Sequence, residues 1–341
     1  ETIETYNAGI DFATLNNRLS GTFDYFIKDN KNMFYAEEFP TILGTSAPSI
    51  NGAHVRTNGW ELTLNWKDKI GKVGYRIGLN LSDNKTKVIS LSDSRNPGHG
   101  LMGFVEGYPT NSFFIYEFDG FIKDEADLAD YKTKMKGGVP TNLRVGDAKY
   151  VDKDGDGVLE PTLYKEGDPN SGDIVYKGTN NQRYLYGINL GLDWKGIDVS
   201  AFLQGVGKWD CINGTYAGGG EVWKQSSQYF YHNTWSPDRP NAEYPRLTQD
   251  GGIHGYNYQW SDAPYKFFNN RYLRLKEVQI GYTFPTTLTK KIGVEKLRVY
   301  ATGMNLLEWD NLPNGFDPEA PYTENLIPFS RTYSIGVNVQ F

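Results

Sequence analysis

Apolar and polar residues alternate with a period of two in nine stretches of the chain. The cleanest is the last. Tyr333, Ile335, Val337, Val339 and Phe341 fall on one face, and Thr332, Ser334, Gly336, Asn338 and Gln340 on the other. Successive side chains of a β-strand point to opposite faces, so this pattern predicts a strand with one bulky apolar face and one small polar face. The same reading applies to Tyr6–Phe12, Leu19–Ile27, Trp60–Trp66, Tyr75–Leu81, Tyr184–Trp194, Val199–Leu203, Val278–Phe284 and, least cleanly, Leu297–Ala301. Leu273 and Leu275 are off phase with Val278, which predicts a β-bulge just before that strand.

The connections alternate in length. Thr14–Asn17, Asp68–Lys72, Lys195-Gly196 and Pro285–Gly293 read as short turns; residues 29–55, 88–183, 210–270 and 307–331 read as long loops. Two architectures accommodate a series of half-apolar strands: a soluble β-sandwich and a membrane β-barrel. A sandwich has no reason to keep short and long connections in strict order. A barrel does, because its periplasmic turns are short and its extracellular loops long. With the last strand running toward the periplasm, all four short turns fall on that side, provided that 88–183 stays on the other. Phe113-Phe114-Ile115-Tyr116 is therefore expected to be local loop structure rather than a spanning strand. Trp60, Trp66, Tyr75, Tyr184, Trp194, Tyr282, Phe284 and Phe341 lie toward strand ends on the apolar face, where amphipathic rings meet a membrane interface; packed core aromatics are the alternative.

Composition narrows the picture. Tyr (24), Phe (18), Trp (8) and Gly (38) are abundant, and no run of ~18 apolar residues makes a transmembrane helix. Barrel strands hide their apolar residues in alternation, so the low mean hydropathy of −0.57 leaves a membrane open. The net charge of −6 argues against nucleic acid as a partner. The one cysteine, Cys211, excludes an internal disulfide framework and reads as a small buried hydrophobe. Glu1 opens in mid-pattern, with no signal peptide, so more of the protein is expected to precede it.

Several motifs occur in a specific order: Arg56-Thr57-Asn58-Gly59-Trp60-Glu61-Leu62, Glu106-Gly107-Tyr108-Pro109, Asp119-Gly120-Phe121, and Gly146-Asp147-Ala148-Lys149-Tyr150-Val151 running into Asp152–Gly157. They are followed by Tyr186–Leu190, Ser200–Gly205, Arg271–Lys276, Leu297–Tyr300, Asn305-Leu306 and the final strand. Over essentially its whole length the chain resembles the carboxy-terminal half of the SusC/RagA family, TonB-dependent outer-membrane transporters of Bacteroidetes. The resemblance implies an all-β transmembrane barrel of about 22 strands, of which this chain supplies the last nine or so. The plug domain and TonB-contacting segment are absent from this chain. An open sheet with a lipid face has bare edges, which a bilayer does not tolerate, so the remaining strands are expected on another portion. The resemblance also implies a SusD-like surface lipoprotein as partner, energy delivered through TonB, an oligosaccharide or peptide as cargo, and a place in the outer membrane with loops extracellular and the carboxy-terminus periplasmic. On the same grounds, Tyr333, Ile335, Val337, Val339 and Phe341 are expected to form the signal that barrel assembly reads.

Two groups of residues are candidates for binding. Asp152, Asp154 and Asp156 alternate before Gly157, the first half of a calcium loop, in which alternate carboxylates converge on one ion and the glycine permits a sharp turn. The twelfth position is Leu163 rather than Glu, so a standard EF-hand fails; Asp173 is the candidate to close the site, and an ion-free Asp/Gly turn is the alternative. Calcium is the only cofactor for which there is a candidate site. In the long loops Trp209, Trp223, Tyr229, Tyr231, Trp235, Tyr256, Tyr258 and Trp260 are interleaved with Asn, Asp, Gln and Gly. Rigid rings among adaptable polar groups suit sugars or peptides, and equally suit packing between loops. His54, His99, His232 and His254 are isolated, with no metal-ligand spacing, nucleophile motif or phosphate-binding glycine loop, so no enzyme is expected. The favoured reading is part of a nutrient importer; a soluble or surface-attached all-β glycan-binding module is the other.

Overall fold

The computed structural model describes residues 1–36, 49–92, 97–168, 170–212, 232–312, 317–319 and 329–341. Along the chain run β1 (Thr2–Thr14), β2 (Leu19–Ala36), β3 (Ser49–Ile70), β4 (Val73–Leu91), β5 (Gly100–Met102), β6 (Ser112–Tyr116), β7 (Phe118–Phe121) and α1 (Glu125–Lys134). Then come β8 (Ala148–Tyr150), β9 (Ile174–Thr179), β10 (Arg183–Trp194), β11 (Ile197–Lys208), β12 (Asp210–Ile212), α2 (Gly251–Asn257) and β13 (Phe267–Asn269). The last elements are β14 (Tyr272–Thr283), α3 (Thr286–Thr289), β15 (Lys296–Asp310) and β16 (Thr332–Gln340).

Nine strands form one antiparallel sheet in the order β1-β2-β3-β4-β10-β11-β14-β15-β16. Apart from insertions in the long connections, every strand pairs with the next along the chain. Register joins the apolar faces predicted from alternation. One row runs Phe12, Gly21, Leu64, Leu79, Ile188, Leu203, Leu275, Leu307, each opposite the next. A second runs Leu19, Trp66, Ile77, Leu190, Ala201, Val278, Gly303, Tyr333. Many members are open to the surroundings, as in Ile10, Phe23, Ile77, Leu190, Ile280 and Ile335. A belt this continuous is far larger than the scattered apolar residues of a soluble surface. The rows on the reverse face are mainly polar or small, as in Ser20, Asn65, Gly78, Asn189, Phe202, Glu277, where Phe202 is the apolar exception.

The short turns fall where predicted. Leu15, Asn16 and Asn17 all take positive φ, which lets β1 fold back on β2 in four residues; Asn tolerates this conformation, whereas for Leu15 it is a strained choice. The bulge expected near Leu275 is present as a register shift on both sides of β14, between Leu275 and Glu277 and opposite Phe202 and Leu203.

The long loops begin later than alternation suggested. Residues 29–36 and 49–55, expected as loop, continue β2 and β3; β4 reaches Leu91 and β15 reaches Asp310. A barrel strand needs about 9–11 residues to cross a bilayer, and β3 has 22, so these strands extend past the apolar belt. There polar pairs hold the ladder instead. Asp29 accepts Arg56 Nε (2.8 Å) and Nη2 (2.9 Å), His54 Nε2 lies 2.8 Å from the same carboxylate, and the Thr57 and Thr86 hydroxyls meet at 2.9 Å. Bulges between Asn30 and Met33 and between His54 and Val55 break the period of two, which is why the sequence signal stops early.

The largest buried apolar cluster among the described residues is not in the wall. It lies in a layer built from the insertions between β4 and β10 and between β11 and β14. Phe114, Tyr116, Ile122, Leu143, Tyr150, Leu159, Ile174 and Ile253 are all nearly or fully buried there. Phe113–Tyr116 belongs to β6, the middle strand of a three-stranded sheet β5-β6-β9 separate from the wall, as expected of local loop structure. The helices α1 and α2 were not predicted. Each has an aspartate at its amino-terminal cap: Asp124 accepts the Asp127 N–H (2.8 Å), and Asp250 accepts those of Gly252 (2.9 Å) and Ile253 (3.1 Å). They bury Leu128 and Tyr131, and Ile253 and Tyr256, in the shared core.

Candidate functional site

The polar face of the wall carries a network of hydrogen-bonded side chains. Arg76 Nη1 contacts Asp193 Oδ2 at 3.1 Å, Arg298 pairs with Asp198 and donates to Gln279 Oε1 (2.7 Å), Thr63 donates to Asn80 (3.1 Å), and Gln279 Nε2 donates to Thr302 (3.1 Å). Glycines beside the longest of these make room for them to lie flat. A Cβ on Gly191 would meet Arg76 Nε at 2.3 Å, one on Gly281 would meet Arg298 Nη2 at 2.5 Å, and one on Gly336 would meet the Tyr300 ring at 2.3 Å. This holds charged groups against the wall rather than across the lumen. A groove of about 590 Å³ remains on this face, bordered by Asn65, Arg76, Gly78, Asn189, Ser200 and Glu277.

The loop aromatics divide into packed and presented rings. Tyr256 is 7% exposed, its hydroxyl 2.9 Å from that of Tyr131 and its ring edge-on to Tyr150 at 5.2 Å. Burial pushes its phenol far above the ordinary range. Tyr258 is half-buried, edge-on to Tyr265 at 5.6 Å. A ring held this way cannot offer a face to a ligand, so Tyr256 is a core residue rather than the binding residue expected. Trp260 is 36% exposed and lies over Gly100, while its carbonyl accepts the Tyr116 N–H (3.0 Å) and lies 2.8 Å from His99 Nε2. Trp235 is half-buried over Gly146, where a Cβ would meet its ring at 2.3 Å. Trp209, also half-buried, donates Nε1–H to Asn180 Oδ1 at 2.9 Å. Trp223, Tyr229 and Tyr231 lie outside the described residues.

The acidic turn is brought together as its spacing suggested. One carboxylate oxygen from each of Asp152, Asp154 and Asp156 lies within 4.8 Å of the others. Asp152 accepts the N–H groups of Gly155 and Gly157 (both 2.8 Å), Asp154 that of Asp156 (3.2 Å), and Asp156 that of Val158 (2.7 Å). Gly155 and Gly157 have φ of 81° and 88°, and a Cβ on Gly157 would meet the Lys134 carbonyl at 2.7 Å, so glycine is required there. Asp173 does not join this cluster. It is fully buried, and its two oxygens accept the backbone N–H groups of Lys153 (2.5 Å) and Glu160 (2.8 Å), bracing the turn. Burial raises its pKa, with the charges of Asp154 and Asp152 adding to the effect. Lys153 leaves the turn for Glu117 (2.6 Å), which also holds Lys177 (2.7 Å), and Lys177 reaches Asp262 (2.8 Å). This chain of charges ties the turn to the second long insertion.

Sequence reading missed two features. Arg274, 1% exposed on the polar face of β14, meets Asp317 at 2.6 Å, Glu319 at 3.4 Å and Glu308 at 3.9 Å. Lys276 meets Glu319 at 2.5 Å, and Asn270 Nδ2 donates to the Pro318 carbonyl at 2.9 Å. This cluster fastens Asp317–Glu319 to the wall. The only hint was the off-phase run Arg271–Lys276, read as a bulge alone. Lys266 is buried, and burial lowers its pKa to about 8. No sequence signal marked it.

Residues 1–157 match the family described as "TonB dependent receptor-like, beta-barrel". TonB-dependent receptor P3 of Formosa agariphila is 27% identical over 369 residues, covering all of this chain and 34% of that protein. TonB-dependent receptor SusC of Bacteroides thetaiotaomicron is 24% identical over 368 residues, covering all of this chain and 32% of that protein. The chain thus spans about a third of the length of the curated relatives it matches. Among solved structures, the RagAB peptide importer in its open-open state superposes with a TM-score of 0.73 at 23% identity, over 99% of this chain and 34% of that one. The closed-closed state gives the same score at 24% identity, over 99% and 35%. These are receptors and transporters rather than enzymes. Relatives named TonB-dependent receptors, SusC among them, thus run along the whole chain, its first 157 residues match a TonB-dependent receptor-like β-barrel, and its wall has the fold of the RagAB importer.

Proposed function

We propose that the chain is the carboxy-terminal wall and loop layer of an outer-membrane importer that takes up a nutrient oligomer, an oligosaccharide or peptide, with energy delivered through TonB. The observation that carries this reading is the wall itself: a continuous apolar belt on one face and a hydrogen-bonded polar lining on the other. A soluble glycan-binding module would have no use for that belt. On this reading the short turns are periplasmic, and the loops that lie within about 29–55, 88–183, 210–270 and 307–331 are extracellular. The plug, the TonB-contacting segment and the other barrel strands belong to portions outside this chain, and a SusD-like lipoprotein covers the loop layer. RagAB, described as a peptide transporter, and SusC supply the precedents for the fold and the name.

Trp209, Trp235, Tyr258 and Trp260 are the described aromatics that remain candidates for substrate contact. We further propose calcium at Asp152, Asp154 and Asp156, and the β16 face Tyr333, Ile335, Val337, Val339 and Phe341 as the feature read during assembly. The test of function is uptake of fluorescent oligosaccharides and peptides by cells carrying the complete receptor, with and without TonB. TonB-dependent accumulation of one class, reduced by Trp260→Ala at unchanged receptor level, is the expected result. Equal accumulation without TonB would refute the proposal.

A further inference from the structure

The rim of the wall that carries the short turns has a composition unlike the rest of the chain. In the β3–β4 turn Ile70 is 71% exposed between Lys69 and Lys72. In the β14–β15 turn, α3 runs into a short 3₁₀ turn, Lys290–Ile292. Leu288 and Ile292, four residues apart, are 55% and 70% exposed, and Lys290 and Lys291 lie between them. Between β10 and β11, Lys195 Nζ stands 5.2 Å from the Trp194 ring centroid. Each of these turns pairs an exposed apolar group with a lysine.

Among the described residues, the ammonium groups of Lys69, Lys72, Lys290 and Lys291 make no ion pair, whereas the rim carboxylates are engaged: Asp68 with Arg18, Asp193 with Arg76, Asp198 with Arg298. Among the described carboxylates beside these turns, Glu295 is exposed and makes no ion pair. In a chain of net charge −6, this rim is a local excess of positive charge. The turns are also fixed in place. Thr289 and Val294 are buried beneath the β14–β15 turn, Gly293 closes it with φ of 76°, and Glu295 N–H reaches the Gln340 carbonyl at 2.8 Å. The apolar side chains are therefore held out by a rigid base, directly beyond the ring pair Tyr282–Phe284 (5.0 Å) and the Trp66–Tyr75 pair joined by a 3.2 Å hydrogen bond. Aromatic rings of this kind mark the headgroup level, so whatever projects past them meets headgroups.

We propose that the short-turn rim is a binding surface for the anionic headgroups of glycerophospholipids, with Lys69, Lys72, Lys195, Lys290 and Lys291 on the phosphates and Ile70, Leu288 and Ile292 packed among the headgroups. The surface is continuous with the lipid-facing belt, and its charge complements that of the ligand. Basic residues with apolar neighbours seat in such interfaces, the lysine stem covering apolar surface while its ammonium stays at the phosphates. Near an anionic leaflet each lysine adds roughly two- to fivefold to lipid preference at low salt. The inference rests on the membrane-spanning reading of the wall and not on the cargo.

The test uses the complete receptor in vesicles of phosphatidylethanolamine containing spin-labelled phosphatidylglycerol, phosphatidylethanolamine or lipid A, with heat-modifiable mobility confirming the fold. Motionally restricted phosphatidylglycerol should exceed phosphatidylethanolamine several-fold at low salt. The excess should collapse in high salt and in the variant K69Q/K72Q/K290Q/K291Q. Parity in the wild type, an excess that survives the four substitutions, or displacement of phosphatidylglycerol by lipid A would each overturn the proposal. A second arm places a nitroxide at Ile70→Cys or Ile292→Cys; the native Cys211 is buried. Collisions with a water-soluble nickel chelate should be fewer than in the four-lysine variant, and equal accessibility in the two would overturn the headgroup contact. Transport is not a readout, so failure here is distinguishable from failure of the import proposal.

Discussion

Replacing Leu190 with arginine probes the wall directly. Leu190 projects from the belt face of β10, 41% exposed, between Ile77 and Ala201 on the neighbouring strands. It is four residues from Trp194, whose ring marks one rim. At ~3.3 Å per residue and a strand tilt of ~40°, that is ~10 Å of depth, against a half-thickness of ~12 Å for a barrel's apolar band. An arginine near the midplane of such a band destabilises a barrel by ~2–4 kcal/mol, a factor of about 30 to 1,000 in the folding equilibrium. Asn189→Arg is the matched control. Asn189 points to the polar face opposite Gly78 and Phe202, where an arginine has water and polar neighbours, and the expected loss is below ~1 kcal/mol. The assay is a urea titration of the complete receptor refolding into lipid vesicles, read by heat-modifiable electrophoretic mobility. Equal losses for the two variants would refute the face assignment, and a larger loss for Asn189→Arg would invert it.

Three further outcomes follow from the loop layer and the cluster beneath it. Calcium should give a binding isotherm with the complete receptor that Asp154→Asn abolishes; an unchanged isotherm would mean that the Asp152–Gly157 turn is held by its own hydrogen bonds alone. Lys266 has its pKa lowered from 10.5 to about 8 by burial, so the unfolded chain binds more protons between those values and stability rises with pH across that window. Lys266→Met should remove that rise and stabilise the layer at neutral pH by about 2–3 kcal/mol in thermal melts, whereas a parallel pH profile for the variant would refute the assignment. Among the described residues, Arg274→Met leaves Glu319 paired with Lys276 and Asp317 with no cation, and breaking a buried pair from one side costs about 3–5 kcal/mol. Limited proteolysis between Asp310 and Thr332 should then accelerate, and unchanged cleavage would mean that the segment is held elsewhere.

The wall was legible in the sequence because one physical rule governs it. A strand between lipid and water must alternate, and all nine alternating stretches became strands of one sheet, in chain order and in a register that aligns their apolar faces. The bulge at Lys276 was legible for the same reason, as a lapse in the period. Where the rule no longer applies, the reading fell short. Above the belt Asp29, His54 and Arg56 pair across strands, and bulges beside them break the apolar period that would announce the strands. The strands were therefore cut several residues too early, although the ladder continues to Ala36 on one side and from Ser49 on the other.

The loop layer was illegible for a different reason. Its core joins residues far apart in sequence: Tyr150 donates its hydroxyl to the Tyr256 carbonyl at 2.9 Å, and Asp147, fully buried, accepts Asn257 Nδ2 at 2.9 Å and Arg246 Nη2 at 3.0 Å. No local period reports such contacts, and an aromatic residue in a polar loop reads the same whether it will be buried or presented. That is how Tyr256 came to stand beside Trp260 as a binding candidate, although one is locked against Tyr131 and Tyr150 and the other keeps part of its face open. The acidic turn escaped this ambiguity because its chemistry is local, three carboxylates and two glycines within six residues, each folding onto the next backbone N–H. Yet even there the closing residue was misjudged, since Asp173 braces the turn from behind through contacts that only the folded layer creates. The layer is thus a small folded body with its own core, cross-linked by Lys153, Glu117, Lys177 and Asp262. A body packed this way presents its exposed rings at fixed positions. A cation held at Asp152–Asp156 would therefore act on the second insertion through Lys153 and Glu117, rather than on the turn alone.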